Sequence, residues 1–232
     1  MPPDLIPTLT RDPEEVAAAH ALRRACFVDE LGAKAEADTF DATADHLILR
    51  DRTRPQIGVV ATLRISDGIG YTAREFDLSR LRDTGRILAE AGRACVHRDY
   101  RDGLAGLLLF SELLRQMRAR GVAYLVGTAS FAGADPDRHM PALRRLRAVA
   151  LAPRVIAPVA RGPGAIAIRG DAPRGAMRQV PSLIKTYLRA GARVGEGAYV
   201  DRAFNTVDVC MVLEPHLARL PGGLRGVEAS AR

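Results

Sequence analysis

Residues 89–109, AEAGRACVHRDYRDGLAGLLL, constrain the fold of this chain more than any other stretch. An apolar, strand-like run that carries Glu90 and Arg93 leads into a charged turn, and the turn leads directly into a leucine-rich helix. The apolar run VAYLVGTAS at 122–130 has the length and composition of a second strand. A strand, a helix and a strand in this order favour locally parallel pairing of the two strands.

The segments around this unit predict a mixed α/β (α+β) protein. Asp12 and Pro13 mark the start of an amphipathic helix over 13–30, and the runs DHLILRD and IGVVATLRIS predict an antiparallel hairpin. Further elements are expected in the second half: a helix that starts at Asp135, a helix within VPSLIKTYLRAGARVG, and strands at 198–201 and in TVDVCMVLE. Together they predict a central, mostly antiparallel, twisted sheet flanked by helices.

The length of 232 residues suits one substantial core, so we expect a single domain over 1–214. The stretch RGPGAIAIRGDAPRGAM at 161–177 has little periodicity and predicts a mobile loop. Residues 215–232 are rich in Arg, Gly and Ala and predict a flexible tail.

The net charge of +7 indicates an anionic partner or substrate. Nearly all the positive charge is arginine, since Lys34 and Lys185 are the only lysines, and arginine suits the recognition of phosphates and carboxylates. Charge alone does not choose among nucleic acid, a phosphorylated cofactor, an acidic carrier protein and an anionic lipid surface.

The chain has no uncharged apolar run of about 18 residues, and the N-terminal MPPDLIPTLTRDPEE lacks the apolar core of a signal peptide. We therefore expect a cytoplasmic protein. Cys26, Cys95 and Cys210 are widely spaced, and the five histidines show no metal-ligand spacing, so neither disulfides nor a metal site is expected.

The exit of the strand at 86–97 is a candidate phosphate site. Arg98, Arg101 and Gly103 lie where the strand turns into the helix, and the start of a helix presents unpaired N–H groups and the positive end of its dipole. Arginines at a strand exit are also common as solvated residues, so the motif alone is weak.

Glu90 and Arg93 place two charges in a strand that otherwise looks buried. Strand alternation points them to opposite faces unless a bulge intervenes, so each needs its own partner. A buried carboxylate near a substrate amine is a natural general base, and the structural alternative for Glu90 is an ion pair with Arg64 or Arg24.

Several blocks in order resemble the L-ornithine Nα-acyltransferases, bacterial members of the GNAT superfamily. These blocks are FVDELG, FDATADHLIL, GVVATLRI, EFDLS, EAGRACVHRDYR, LLLF, VGTASFAGADP and LIKTYLRAGARVGEGAYVDRAFNTVDVCMVL. The resemblance extends over about residues 9–214 and implies a GNAT-like fold. It also implies transfer of a 3-hydroxyacyl chain from acyl carrier protein to the α-amine of L-ornithine, which gives lyso-ornithine lipid.

The first half also resembles the acyl-homoserine-lactone synthases. The residues that match their pattern are Arg24, Phe27, Asp41, Asp45, Arg64, Glu90 and Arg93. The chain departs from that family because it has no tryptophan. The segment YRDGLAG is a degenerate form of the superfamily's pyrophosphate loop, so the resemblance favours acyl carrier protein over acetyl-CoA as donor.

The resemblance implies a general base and an oxyanion donor on one strand. Glu90 is the expected base, and a backbone N–H near Cys95 or Val96 is expected to polarise the thioester carbonyl. No covalent intermediate is required, and Cys95 as a nucleophile is the weaker alternative.

The remaining site residues are assigned to substrate binding. Asp41 and Asp45 either hold the cationic groups of ornithine or pair with Arg24 and Arg64, and Arg93 clamps a carboxylate or joins the same charge network. Arg98, Arg101 and Gly103 are expected to meet the phosphopantetheine phosphate or the acidic helix of the carrier protein.

The expected partners are acyl carrier protein, whose acyl-phosphopantetheine is the donor, and L-ornithine, with no bound cofactor. Contact with an anionic membrane at the inner face is left open. The alternative enzyme is an acyl-homoserine-lactone or other N-acyl amino acid synthase. Binding of nucleic acid is disfavoured because aromatic residues make up only 5% of the chain.

Overall fold

The computed structural model describes residues 2–101 and 103–219. The strands are β1 Leu5–Thr10, β2 Asp45–Asp51, β3 Val59–Asp67, β4 Phe76–Asp77, β5 Leu88–Val96, β6 Tyr124–Ala132, β7 Val159–Ala160, β8 Ala165–Ile166, β9 Arg193–Val194, β10 Ala198–Asp201 and β11 Thr206–Leu213. The α-helices are α1 Pro13–Arg23, α2 Ser79–Arg82, α3 Leu104–Ala119, α4 Pro136–Ala150 and α5 Ser182–Ala190.

The chain divides into two compact units, and β5 contributes to both. Within the described residues, the first unit comprises 2–66, 91–101 and 103–120, and the second comprises 67–90 and 121–219.

The first unit contains the strand order β1-β2-β3-β5. β1 pairs antiparallel with β2, which pairs antiparallel with β3. β1 is an edge strand and accommodates Pro7, because a proline at an edge breaks no ladder on its free side. The helix predicted over 13–30 is confirmed, with Asp12 as its N-cap, and it changes from α to π winding at Arg24. Its apolar face packs Leu22 against Ile48 and Val59.

The second unit contains the strand order β5-β6-β11-β10-β8, and β9 also pairs with β11. The predicted parallel pair is confirmed between Leu88–Glu90 and Tyr124–Val126. β11 pairs antiparallel with β6 over its full length, from Thr206 opposite Ala132 to Leu213 opposite Leu125. One face of this sheet packs Val126, Cys210 and Val212 against Phe76 and its neighbours.

The elements expected from the sequence are present, and the structure adds β1 and several elements of two to four residues that were not expected. The hairpin, α3, α4, α5, β10 and β11 are confirmed. The stretch 161–177 was expected to lack regular structure, but it contains β8, whose pairing with β10 supplies long-range hydrogen bonds that local periodicity does not reveal. The single domain over 1–214 stays a prediction, and the expected flexible tail lies outside the described residues from 220 onward.

None of the helices in the described part of the chain has both the length and the apolar character needed to cross a membrane.

The apolar face of α3 should dominate the stability of the first unit. Leu114 is fully buried, so Leu114→Ala should lower the free energy of unfolding by about 2–5 kcal/mol. Leu217 is 70% exposed, so the matched Leu217→Ala should change it by less than about 0.5 kcal/mol. Urea unfolding followed by circular dichroism measures both, and equal losses would contradict this packing.

Candidate active site

β5 carries Glu90 and Arg93 to separate partners. Arg93 has a φ of 54°, in the left-handed region that few residues other than glycine adopt, so it interrupts the regular alternation of the strand. The positive φ of Arg93 is thus a local irregularity in the strand. Glu90 and Arg93 have separate hydrogen-bond partners.

Glu90 is bound by the backbone of the segment before β4. Its Oε2 accepts from the Tyr71 N–H at 3.0 Å, and its Oε1 accepts from the Thr72 N–H at 2.8 Å and the Thr72 hydroxyl at 2.9 Å. The residue is 4% exposed. Hydrogen bonds of this kind favour the ionised carboxylate.

The ion pair of Glu90 with Arg64 or Arg24, the alternative that the sequence left open, stays a prediction. Arg64 donates to Asp38 at 2.6 Å and to Asp41 at 3.0 Å. Arg24 is exposed, and its neighbour Arg23 is the fully buried arginine of this helix. The physical reason is helical phase, because Arg23 lies on the same face as Ala19, Leu22 and Cys26.

The buried charges of the first unit form one arginine–aspartate cluster, consisting of Arg23, Arg64, Arg93, Asp38 and Asp41. Arg23 donates to both oxygens of Asp41, at 2.6 and 3.1 Å. Arg93 donates to Asp38 at 2.8 Å. The exposed fraction of the side chain is 1% for Arg23, 3% for Arg64 and 9% for Arg93. Their charges therefore depend on the two aspartates and on neighbouring groups for compensation.

The chain crosses over this cluster between residues 36 and 41. The backbone carbonyl of Glu36 accepts from Arg23 at 2.6 Å and from Arg93 at 2.9 Å. Its carboxylate lies 2.7 Å from the Nε of Arg23 and 2.7 Å from the Nδ1 of His20. The segment therefore links α1 to β5 through charge-assisted hydrogen bonds.

Asp41 remains ionised to low pH. Burial acts to raise its pKa, but hydrogen bonds from Arg23 and the Asp38 N–H, and the charges of Arg23 and Arg64, outweigh burial and hold the pKa well below the usual 3.8. The sequence left open whether Asp41 binds ornithine or pairs with Arg24 and Arg64. In the structure Asp41 pairs with Arg64 and with Arg23, which replaces the expected Arg24.

Asp45 lies in a different pair of contacts from the one expected. It is bound by Arg11 and, at 2.6 Å, by Arg120, and not by Arg24 or Arg64. Burial acts to raise its pKa, and the hydrogen bonds from these two arginines lower it overall. Asp45 therefore ties β2 to the end of α3.

The residues proposed to bind phosphate lie together at the end of β5. Gly103 caps α3 with a φ of 109°, which favours glycine. Arg101 donates to the Val96 carbonyl at 2.9 Å and lies 2.8 Å from the Glu30 carboxylate. The side chain of Arg98 is 71% exposed and lies 3.6 Å from Glu30, so it can reorient toward a ligand.

Cys95 contacts a second thiol. Its hydrogen bond with Cys26 lowers the pKa of Cys26 to about 7, against the effect of burial and with help from Arg101. The same hydrogen bond and burial raise the pKa of Cys95. Cys95 is thus the less reactive thiol of the two, which argues against its use as a nucleophile.

Sequence reasoning missed two groups of candidate ligands. His20, Asp41 and His46 approach one another closely, and so do Glu75, Asp201 and Asp208. Asp41 already accepts from two guanidinium groups, so the first group is a poor cation site. Arg23 and Asp38 were missed because nothing in the local pattern separates them from exposed neighbours.

Comparison with known proteins identifies the class. An acetyltransferase (GNAT) domain model matches residues 22–111, which include the arginine–aspartate cluster and Glu90. The N-acyl amino acid synthase FeeM from uncultured soil microbes is similar in structure, with a TM-score of 0.56, 14% identity, and coverage of 93% of this chain and 94% of that chain. The AHL synthase LasI has a TM-score of 0.51, 14% identity, and coverage of 92% and 91%. Likeness at this identity concerns the fold, and the fold is that of a GNAT acyltransferase.

Sequence comparison is more specific. The L-ornithine N(alpha)-acyltransferase of Rhodobacter capsulatus is 41% identical over 228 residues, which cover 89% of this chain and 88% of the relative. The chain belongs to the family of L-ornithine Nα-acyltransferases and is an enzyme of that family.

The charge on Asp41 should make the protein sensitive to acid. Because its pKa is below the usual 3.8, its stabilisation is complete above about pH 4 and is lost as pH falls below that value. Asp41→Asn should lower the free energy of unfolding by about 3–5 kcal/mol at pH 7, and the difference from the natural chain should shrink toward pH 2.

Urea unfolding at pH 7, 5, 4 and 3 measures this difference. Asp171 is exposed, so Asp171→Asn is the matched control and should follow the natural chain at every pH. A pH-independent loss for Asp41→Asn would contradict the assigned role of the charge.

Proposed function

We propose that the enzyme transfers a 3-hydroxyacyl chain from acyl carrier protein to the α-amine of L-ornithine, which gives lyso-ornithine lipid. The observation that carries this proposal is the 41% identity to an L-ornithine N(alpha)-acyltransferase over most of both chains. The GNAT fold supports direct transfer from a thioester to an amine, and the buried Glu90, which accepts from N–H and hydroxyl donors, supports base catalysis.

Glu90 is proposed as the general base. Ornithine's α-amine is largely protonated near neutral pH, and acyl transfer requires its lone pair. The Tyr71 and Thr72 donors support a carboxylate that is ionised and fixed in position before substrate arrives. Glu90 then accepts the proton directly or through a water molecule.

The second half of β5 is proposed to hold the donor. A backbone N–H at Cys95 or Val96 stabilises the developing oxyanion, and the tetrahedral intermediate then collapses and releases the carrier thiolate. The ammonium gives its first proton to Glu90, and the nitrogen, once bonded to the acyl carbon, gives a second proton to the thiolate. No covalent acyl-enzyme is needed.

The phosphodiester of the carrier's pantetheine arm is assigned to the start of α3. Arg98 and Arg101 supply positive charge there, and Gly103 leaves room for close approach to the backbone. Within the arginine–aspartate cluster Arg93 binds Asp38, and Asp41 binds Arg23 and Arg64, so the proposed role of Arg93 and Asp41 is to position β5 and the neighbouring chain. A cytoplasmic reaction that delivers its lipid product to the anionic inner face of a membrane fits the basic net charge.

Product analysis tests the reaction and its base together. Purified enzyme with 3-hydroxyacyl carrier protein and a mixture of ornithine, lysine and S-adenosylmethionine should give Nα-acyl-ornithine as the main product by mass spectrometry. Glu90→Gln should lower kcat by roughly 100-fold or more, since it removes a general base. Glu214 is exposed, and Glu214→Gln should leave kcat unchanged within twofold.

Two results would contradict these assignments. An acyl-homoserine lactone as the main product would replace ornithine as acceptor. Full activity in folded Glu90→Gln would remove Glu90 as the base.

Arg98 should matter for the donor alone. Arg98→Ala should raise KM for the acyl carrier protein by about 3- to 10-fold at low salt and leave KM for ornithine unchanged, because an exposed charge contributes modestly and is screened by salt. Arg147 on α4 is also exposed, and Arg147→Ala is the matched control. Steady-state kinetics at two salt concentrations measure the difference, and equal effects of the two variants would contradict the assignment.

A further inference from the structure

The positive charge of the chain is concentrated in one segment of the second unit, residues 136–193, which we call the basic segment. It contains twelve of the 34 Arg and Lys residues but only two of the 27 Asp and Glu residues, which gives it a net charge of +10. The other 174 residues contain 22 basic and 25 acidic residues. The basic character of the protein is therefore a property of this segment alone.

Most of these cations face solvent. Arg144, Arg145 and Lys185 are half-buried, and the other nine basic residues of the segment are exposed. The surface of a protein usually mixes charges of both signs, because a large region of one sign repels itself. A region of twelve cations and two carboxylates therefore indicates a surface that meets an anionic partner.

Packing brings cations from separate parts of the segment together. Arg144 on α4 donates to the backbone carbonyl of Arg169 at 2.5 Å. α4 also packs against the 3₁₀ turn Arg174–Gln179, where the carbonyl of Arg178 accepts from the Nζ of Lys185 on α5 at 3.2 Å. We call this group the basic surface: Arg144, Arg169, Arg174, Arg178, Lys185 and Arg189.

α5 adds an exposed apolar side chain to this surface. The helix buries Ile184 and Ala190 and leaves Leu183 with 47% of its surface exposed. Arg189 lies one helical turn after Lys185, so the outer side of α5 carries both cations and a leucine. This combination is typical of helices that lie in the interface of an anionic bilayer, where cations meet headgroups and the apolar side chain enters the acyl region.

We propose that the basic surface, with Leu183, docks the enzyme on a bilayer that contains anionic phospholipid. A group of four to eight basic residues on or beside an amphipathic helix is enough to hold a protein at such a surface. The inference rests on the proposed function, because a product with one long acyl chain partitions into a bilayer. Docking then releases the product where it is stable.

Two other anionic partners fit the segment less well. Proteins that bind single-stranded nucleic acid stack the bases on aromatic side chains, and the half-buried Tyr187 is the one Phe, Trp or Tyr residue of the segment. The carrier protein is also acidic, but its phosphate is already assigned to Arg98 and Arg101 at the start of α3, in the first unit. An exposed leucine among cations favours lipid over either of them.

Sedimentation with vesicles tests the docking without any substrate. The natural enzyme at low salt should bind vesicles with about one third phosphatidylglycerol with a partition coefficient about tenfold or more above that for pure phosphatidylcholine. The coefficient should fall steeply as salt is added, because the charges are screened. Equal partition into both kinds of vesicle would overturn the inference.

Variants assign the binding to the basic surface. The combined change Arg174→Gln, Arg178→Gln and Lys185→Gln should lower the partition coefficient for the anionic vesicles about tenfold or more at low salt. Leu183→Ser should lower it about threefold, because less apolar surface leaves water. An unchanged coefficient in the triple variant would overturn the inference, and one in Leu183→Ser would overturn the part assigned to that leucine.

A matched variant separates this surface from net charge. Arg82, Arg86 and Arg202 are exposed residues of the second unit outside the basic segment. Changing all three to Gln removes the same charge and should alter the partition coefficient less than about twofold. Equal losses in the two triple variants would mean that only the total charge matters and would overturn the docking surface.

Two further measurements decide between partners. In the absence of vesicles, the triple variant of the basic surface should keep KM for the 3-hydroxyacyl carrier protein within about twofold, and a larger rise would assign the surface to the carrier and overturn the inference. Binding of duplex DNA or RNA in place of vesicles, lost in the same variant, would also overturn it. Formation of acyl-ornithine without vesicle binding overturns the inference alone, whereas vesicle binding without acylation of ornithine overturns the proposed function.

Discussion

The arginine–aspartate cluster is the interaction on which the first unit depends. Three buried guanidinium groups converge on Asp38 and Asp41, and the loss of one partner in such a group leaves a charge without compensation in the interior. The cluster joins the helix, β3, β5 and the chain between residues 36 and 41. These contacts also hold the positive φ of Arg93, which the hydrogen bonds of the strand alone do not specify.

The two charged residues of β5, Glu90 and Arg93, have different proposed roles. Arg93 belongs to the cluster, whereas Glu90, three residues earlier, accepts hydrogen bonds from the N–H groups of Tyr71 and Thr72 and from the Thr72 hydroxyl. These hydrogen bonds favour the ionised form of the carboxylate and fix its position, which suits the acceptance of a proton from an amine. This contrast is the physical basis for assigning the base to Glu90 and the positioning role to Asp41 and Arg93.

The sequence predicts the long elements because caps and alternation are local. Asp12 and Asp135 accept hydrogen bonds from the first helical N–H groups, and Gly191 ends α5 with a φ of 105°, so each boundary was readable within a few residues. The resemblance predicted the correct family and drew attention to Asp41, Arg64, Glu90 and Arg93, all of which are buried or nearly buried in charge-bearing contacts.

The partners of the buried charged residues could not be predicted from the sequence, because they depend on packing between segments that are distant in the chain. Arg23 and Arg24 are chemically identical, and only the phase of the helix against its neighbours buries the first and exposes the second. Glu75 and Asp208 are far apart in the chain, and they meet only through the packing of the segment before β4 on the β11 face. Contacts of this kind leave no periodic signal in the sequence.

A crystal structure of the enzyme with L-ornithine and an acyl-pantetheine thioether, an analogue that cannot transfer its acyl chain, tests the central claim most directly. The account predicts that the α-amine lies within hydrogen-bond distance of the Glu90 carboxylate, or of one water molecule bound to it. An α-amine bound instead by Asp38 or Asp41, with Glu90 still enclosed by Tyr71 and Thr72 and remote from the substrate, would contradict it.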